Sequence, residues 1–199
     1  MTEIIPIFPT LIVKNDTNPA FGRIEESFLN YAYSEMASSP GVLKSNKGGW
    51  QSVSTLKDRE DFIPYSQFLL DQSHIALGKL FTYNTKLELL SCWFNCNRDD
   101  NGNEWHIHPS ADVAGCLWLK TTENSGPLSF MNPHQYDHYL WHEKCKSIMK
   151  EKYAFDGNLF IKPIAGTIIL FPPNTFHKVM PNDTDEERMS IAFNLRIKM

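Results

Sequence analysis

The C-terminal stretch, residues 188–198, constrains the fold more than any other part of the chain. Met189, Ile191, Phe193, Leu195 and Ile197 alternate there with Arg188, Ser190, Ala192, Asn194 and Arg196. A period of two places these sets on opposite faces of one strand. Residues 87–97 repeat the split, with Leu90, Cys92, Phe94 and Cys96 on one side and Ser91, Trp93, Asn95 and Asn97 on the other. On an arbitrary strand the polar face would simply be solvated. In a closed sheet covered on its apolar side by helices, the Asn, Ser and Arg side chains would instead line a wet interior.

Helices to cover that apolar side are expected in the first part of the chain. Phe21, Ile24, Phe28, Tyr31 and Met36 recur near helical spacing over residues 20–38, and Pro40-Gly41 stops the run. A second helix is predicted over 65–81, with Phe68, Leu69, Ile75, Leu77 and Leu80 sharing an apolar face. Residues 4–13, which contain Pro6 and Pro9, suit an edge strand, because proline cannot donate to an interior ladder. Asn15 to Pro19 reads as a turn, and the polar, glycine-bearing stretch 41–60, centred on Gly48-Gly49-Trp50-Gln51-Ser52, as loop with one short strand. Further short strands are predicted at 113–120, 127–131, 159–163, 166–171 and 175–180, separated by Gly, Pro, Asn and Asp. The expected architecture is mainly β with N-terminal helices, a sandwich or closed barrel of jelly-roll type. With 199 residues the chain suits one domain, in which 1–84 form a mostly helical support region and 85–199 a jelly-roll core with an insertion at 132–158.

A net charge of -4 and a pI near 6.0 provide no global attraction to nucleic acid or anionic lipid, so neither partner is expected. No apolar run reaches membrane-spanning length, and the first residues do not resemble a secretion signal. Cys92, Cys96, Cys116 and Cys145 form no C-x-x-C pair and read as reduced thiols. The cytoplasm is the expected location.

The chemistry is concentrated in Asn103-Glu-Trp-His106-Ile-His108-Pro109. On an extended strand, residues i and i+2 share a face roughly 7 Å apart, so both imidazoles can reach one small ion. A lone H-x-H is more often a pair of ordinary surface or core histidines. Here, however, the stretch 166–177 runs a buried strand through Pro172-Pro173 into a third histidine, His177, and Arg188 and Ser190 follow at the head of the last strand. Neutral imidazole is the commonest nitrogen ligand for iron, zinc, copper and nickel, and two histidines with one carboxylate mark non-haem Fe(II) oxygenases. The third ligand is either His108, making three histidines, or Asp112.

Two families share this pattern. His106-x-His108-x-x-x-Asp112, followed by Gly166, Pro172 and His177, approximates the metal motifs of cupins. The same residues followed by Arg188-x-Ser190 resemble the 2-oxoglutarate- and Fe(II)-dependent oxygenases, which have the same double-stranded β-helix. The likeness covers roughly residues 87–198 and is nearest to a branch related to prolyl hydroxylases. It is carried by Trp93 and Asn95, His106 to Pro109, Gly115 before Trp118, Phe171-Pro172 with His177, and Arg188, Ser190 and Asn194. Gly49-Trp50-Gln51-Ser52 also resembles a segment of that branch. The arginine favours the oxygenases, since a guanidinium fork pairs bidentately with the far carboxylate of 2-oxoglutarate, and a cupin requires none.

The resemblance implies Fe(II) held by His106, His108 and His177, and 2-oxoglutarate held by Arg188, Ser190 and Asn95. It implies hydroxylation of a small-molecule or peptide substrate, a prolyl or other amino-acid side chain being the natural choice. A metal-binding cupin using Asp112, and a catalytically silent module of the same fold, are the alternatives. The insertion carries His134, Tyr136, His138, Tyr139, Trp141 and His142. Its histidines, at i, i+4 and i+8, would stack on one helix face, and a lid or substrate-contact segment is favoured over a second metal site.

Overall fold

In the computed structural model, the described residues are 3–5, 8–82, 85–133, 143–153 and 157–198. The strands are β1 Val13–Asp16, β2 Asn46–Lys47, β3 Trp50–Gln51, β4 Lys86–Asn97, β5 Gly102–His106, β6 Val113–Lys120, β7 Leu128–Met131, β8 Asn158–Ile161, β9 Thr167–Phe171, β10 His177–Val179 and β11 Arg188–Lys198. The helices are α1 Glu25–Ser38, α2 Ile63–Leu77 and α3 Ser147–Tyr153, with short 3-10 turns before α1 and α2. Six strands form one sheet in the order β1-β9-β6-β11-β4-β3, and five form a second in the order β2-β5-β10-β7-β8. All these strand pairs are antiparallel. This is the jelly roll of a double-stranded β-helix.

The alternation in β4 and β11 does what the sequence predicts except at Leu90, where a bulge puts Leu89 into the core and leaves Leu90 beside Ser91. Cys92, Phe94, Met189, Ile191 and Phe193 join Phe28 of α1 and Leu69 of α2 in one buried cluster beneath the helices. Phe94 is completely buried and packs edge-on against Phe28 and Phe62, with ring centroids 5.9 and 6.0 Å away. A second cluster, with Trp118 and Phe171 from one sheet and Leu128 and Phe130 from the other, fills part of the space between the sheets. Gly115 is required where β6 lies beside β11, because it is the register partner of Phe193 and a Cβ there would run into the Phe193 ring.

Three expectations need correction. The N-terminal edge strand lies at Val13–Asp16 rather than at 4–13: it pairs with β9 from Thr167 to Leu170, and Pro172-Pro173 then ends the ladder for lack of N–H donors. The second helix stops at Leu77, followed by Gly78, instead of continuing to Phe81. Its buried face is Leu69, Gln72, Ser73, Ala76 and Leu77, while Ile75 and Leu80 are 63% and 47% exposed. Gln72 and Ser73 occupy the face that apolarity alone would have given to Ile75. No helix among the described residues is long and apolar enough to cross a membrane. His134, Tyr136, His138, Tyr139, Trp141 and His142 lie outside the described residues.

Candidate metal centre

β5 and β10 are neighbours, and their register sets His106 directly opposite His177. The two ring centroids are 4.3 Å apart. His108 does not lie on the strand, which ends at His106. Its place is fixed instead by its N–H, which donates to the Pro173 carbonyl at 2.8 Å, and by the turn that follows, where Ser110 has a φ of 71°. Its ring lies 5.3 Å from that of His106 and 5.0 Å from that of His177. One nitrogen from each of the three histidines falls within 4.8 Å of the others.

The outer nitrogens explain which atoms face inward. His106 Nδ1 donates to the Glu104 carbonyl at 2.7 Å, and His177 Nδ1 to the Thr175 carbonyl at 2.8 Å. His108 Nδ1 donates to Asn194 Oδ1 at 2.6 Å. Each ring then turns an Nε2 lone pair toward the centre, and the Nε2 atoms of His108 and His177 are only 3.2 Å apart. Two lone pairs at that distance repel unless a cation lies between them, so the donor set fits a metal ion. Burial, reinforced by the neighbouring imidazoles, pulls His177 down to about 3. Burial likewise pulls His108 down to about 4, against the Asn194 hydrogen bond, and lowers His106. All three are therefore neutral at pH 7, the form that ligates metal. Trp93 stacks on His108 at 5.6 Å, and Phe171 meets His177 edge-on at 4.7 Å, which restrains both rings.

Asp112 stands apart from this group. Its Oδ2 accepts from the Ile197 N–H at 2.8 Å, holding the end of β11. Arg188, Ser190 and Asn95 do converge, because Ser190 lies opposite Asn95 and Arg188 opposite Asn97 in the β11–β4 register. Arg188 is 3% exposed. Its guanidinium donates to the carbonyls of Gly126 and Met180, and to Asn97 Oδ1 at 2.7 Å in the orientation that satisfies both ends of that amide. Gly126 can approach this closely because it has no Cβ, which would strike the Met180 and Pro181 carbonyls. Among the described residues no carboxylate pairs with Arg188. Its neighbour Glu187 is engaged by Arg98, Lys120 and Tyr33. Burial lowers Arg188 to about 10, which leaves it cationic at neutral pH.

A buried cation without a counter-ion is costly, and here it borders orphaned acceptors. Asn95 Oδ1 and Gln51 Oε1 are buried and unpartnered, and β3 sets Gln51 opposite Asn95. A carboxylate would offset the Arg188 charge, whereas the two amide oxygens call for donors such as ordered water. Gln51 and Asn194 were not assigned roles from the sequence. The period-two parity of β11 places Asn194 on the Arg188 face, but its partner could be found only in three dimensions. Gln51 has no periodic signal, since β3 contains two residues.

The sequence profile of a family described as "Putative 2OG-Fe(II) oxygenase" matches residues 91–194. This chain belongs to that family. The matched span of this 2OG-Fe(II) oxygenase opens at Ser91 and closes at Asn194, enclosing the three histidines and Arg188. No curated protein matches it by sequence. Among solved structures, a Pseudomonas putida prolyl-4-hydroxylase aligns with a TM-score of 0.61 at 15% identity, covering 96% of this chain and 94% of that one. HygX from Streptomyces hygroscopicus, solved with nickel and 2-oxoglutarate, aligns at 0.61 and 13% identity, covering 94% and 83%. A viral collagen prolyl hydroxylase from Paramecium bursaria Chlorella virus-1, in complex with 2OG, aligns at 0.55 and 12% identity, covering 94% and 96%. At these identities the likeness is one of fold.

Proposed function

We propose that this 2OG-Fe(II) oxygenase is a cytoplasmic dioxygenase that hydroxylates a small-molecule or peptide substrate, with a prolyl or other amino-acid side chain as the favoured class. His106, His108 and His177 would hold Fe(II), and Arg188, Ser190 and Asn95 would hold 2-oxoglutarate. When bound, the iron and 2-oxoglutarate together supply the oxidising chemistry: O2 puts one oxygen atom into the substrate C–H bond and the other into succinate, with release of CO2.

The protein's own part is binding and orientation. Three fixed Nδ1–H donors keep the inner nitrogens aimed at one point, and low imidazole pKa values keep them unprotonated. Arg188 offers a buried positive charge to the far carboxylate, and the Ser190 hydroxyl and the Asn95 NH2 group, from residues opposite each other in the β11–β4 register, are the neighbouring groups able to donate to it. Trp93, Phe130 and Phe171 supply apolar walls next to the histidines and keep water from solvating that side of the centre. The free thiols of all four cysteines support a reducing compartment.

The single observation that carries this reading is the pairing of a three-histidine cluster with a buried arginine lacking any anionic partner among the described residues. Asp112, tied to Ile197, weighs against the cupin alternative. Anaerobic titration of the protein with Fe(II) and then 2-oxoglutarate tests the proposal. A visible charge-transfer band should appear only when both are present, and succinate should form once O2 is admitted. Absence of metal-dependent 2-oxoglutarate binding would refute it.

A further inference from the structure

Two of the three histidines use a donor arrangement available to almost any sequence, since the acceptors of His106 and His177 are backbone carbonyls two residues upstream. His108 differs. It stands beyond the end of β5, and its acceptor is a side-chain amide from β11, 86 residues further along the chain. We propose that Asn194 is a positioning residue for the metal centre, fixing the tautomer and ring orientation of His108 from across the barrel. The inference rests on the metal reading given above and adds a residue to it.

The amide is held at both ends. Asn194 Nδ2 donates to Ser91 Oγ at 3.0 Å, and Ser91 is its direct neighbour in the β11–β4 register. The Ser91 hydroxyl can donate or accept and so satisfies either end of the amide, but a metal ion on Nε2 would require the His108 proton on Nδ1, which only the amide carbonyl oxygen can accept. His108 must then carry its proton on Nδ1, which leaves the Nε2 lone pair free beside His177 Nε2. The opposite tautomer would aim an N–H into the cluster and displace a cation. The strands are also irregular here: Asn194 pairs with Ser91 but Leu195 with Leu89, so Leu90 is an extra residue on β4. A bulge of this kind re-aims side chains, and it occurs at the residue that contacts the histidine.

His108 also occupies the place where the two-histidine, one-carboxylate triad has its carboxylate, so the centre lacks one negative charge. An aspartate at 194 would keep the acceptor and add that charge one hydrogen bond away, in a carboxylate–histidine–metal arrangement that raises ligand basicity. Leucine of similar size would remove the acceptor. It would also fill the slot, which otherwise opens on a cavity of 280 Å³ lined by Leu90, Ser91, Pro109, Ser110, Ala111 and Arg196 along with Asn194. Water from that cavity therefore could not replace the lost oxygen.

The test is anaerobic titration of the full chain with Co(II), followed by competition with a chelating dye and by the visible absorption of the bound ion. Asn194→Leu should weaken Co(II) about 10- to 100-fold and change its spectrum, while Asn194→Asp should bind at least as tightly as the parent. Ser91→Ala, which frees the amide to rotate, should give a smaller loss in the same direction and serves if Asn194→Leu does not fold. Wild-type affinity and spectrum in both Asn194→Leu and Ser91→Ala would overturn the role of Asn194 alone. So would an Asp variant as weak as the Leu variant. If the unaltered protein fails to bind Co(II) or Fe(II), the metal centre itself is refuted, and the two failures are thereby told apart.

Discussion

Replacing Arg188 with methionine separates a ligand-binding arginine from a structural one. In the folded protein its guanidinium is 3% exposed, satisfied by two carbonyls and an amide, and opposed by no carboxylate among the described residues. Methionine leaves the Gly126 and Met180 carbonyls and the Asn97 amide oxygen without this donor, at about 1–3 kcal/mol each. It also removes a buried uncompensated charge, whose effective desolvation penalty is several kcal/mol. The two effects nearly cancel, so the protein without ligand should melt within about 4 °C of the parent. Loss of a bidentate, charge-assisted contact should cost 2-oxoglutarate about 3 kcal/mol, roughly 150-fold in Kd. At a 2-oxoglutarate concentration one hundred times Kd, linkage stabilises the parent by about 2.7 kcal/mol, and the variant by only about 0.3 kcal/mol. For a domain of this size that is about 5–11 °C against about 1 °C. Calorimetry with redox-inert Mn(II), with and without 2-oxoglutarate, reads both quantities. Arg188→Lys should fall between, because it keeps the charge but not the fork. An unchanged ligand-induced shift in Arg188→Met would refute the assignment, and a large loss of ligand-free stability would make the arginine structural.

Other outcomes follow from the same geometry. His177→Ala should lose bound metal while Asp112→Asn retains it, since an asparagine oxygen can still accept from Ile197; metal analysis of the purified variants decides, and loss in Asp112→Asn would place a carboxylate in the site. Burial works to raise Glu187, but hydrogen bonds from Arg98, Tyr33 and Lys120 hold it down to about 2. Because that lies below its ordinary 4.5, its stabilisation is complete above about pH 4.5 and is lost as the pH falls toward 2. With the exposed ends of Arg98 and Lys120 screened by solvent, Glu187→Gln should cost about 2 kcal/mol at pH 7 and flatten the acid limb of a pH–stability profile; an unaltered acid limb would show the cluster to be inert. Phe94→Ala should destabilise by about 3–5 kcal/mol in chemical denaturation, because the fully buried ring lies against Phe28 and Phe62; a cost under 1 kcal/mol would mean that the cluster collapses around the void.

The sequence by itself determined the elements whose signal is local. The alternation in β4 and β11 marks their two faces before any partner is known, because a period of two is a property of one strand. The prolines after Phe171 mark an end for an equally local reason. The H-x-H, the third histidine and the Arg188-x-Ser190 pair could be singled out by type and spacing, and the resemblance supplied their expected use. Tertiary structure decided what those residues meet. The β5–β10 register brings His106 opposite His177, and only the bend beyond β5 brings His108 in and leaves Asp112 to hold Ile197. The exposed Ile75 and the buried Gln72 and Ser73 show the same limit in α2, where packing against β4 and β9 overrode apolarity. The links from Asn194 to His108 and Ser91 span 86 and 103 residues, and Gln51 reaches Asn95 through a two-residue strand. Contacts of that kind leave no periodic trace in the chain, because pairing between distant strands is fixed by the total burial of both sheets and not by the residues that happen to touch.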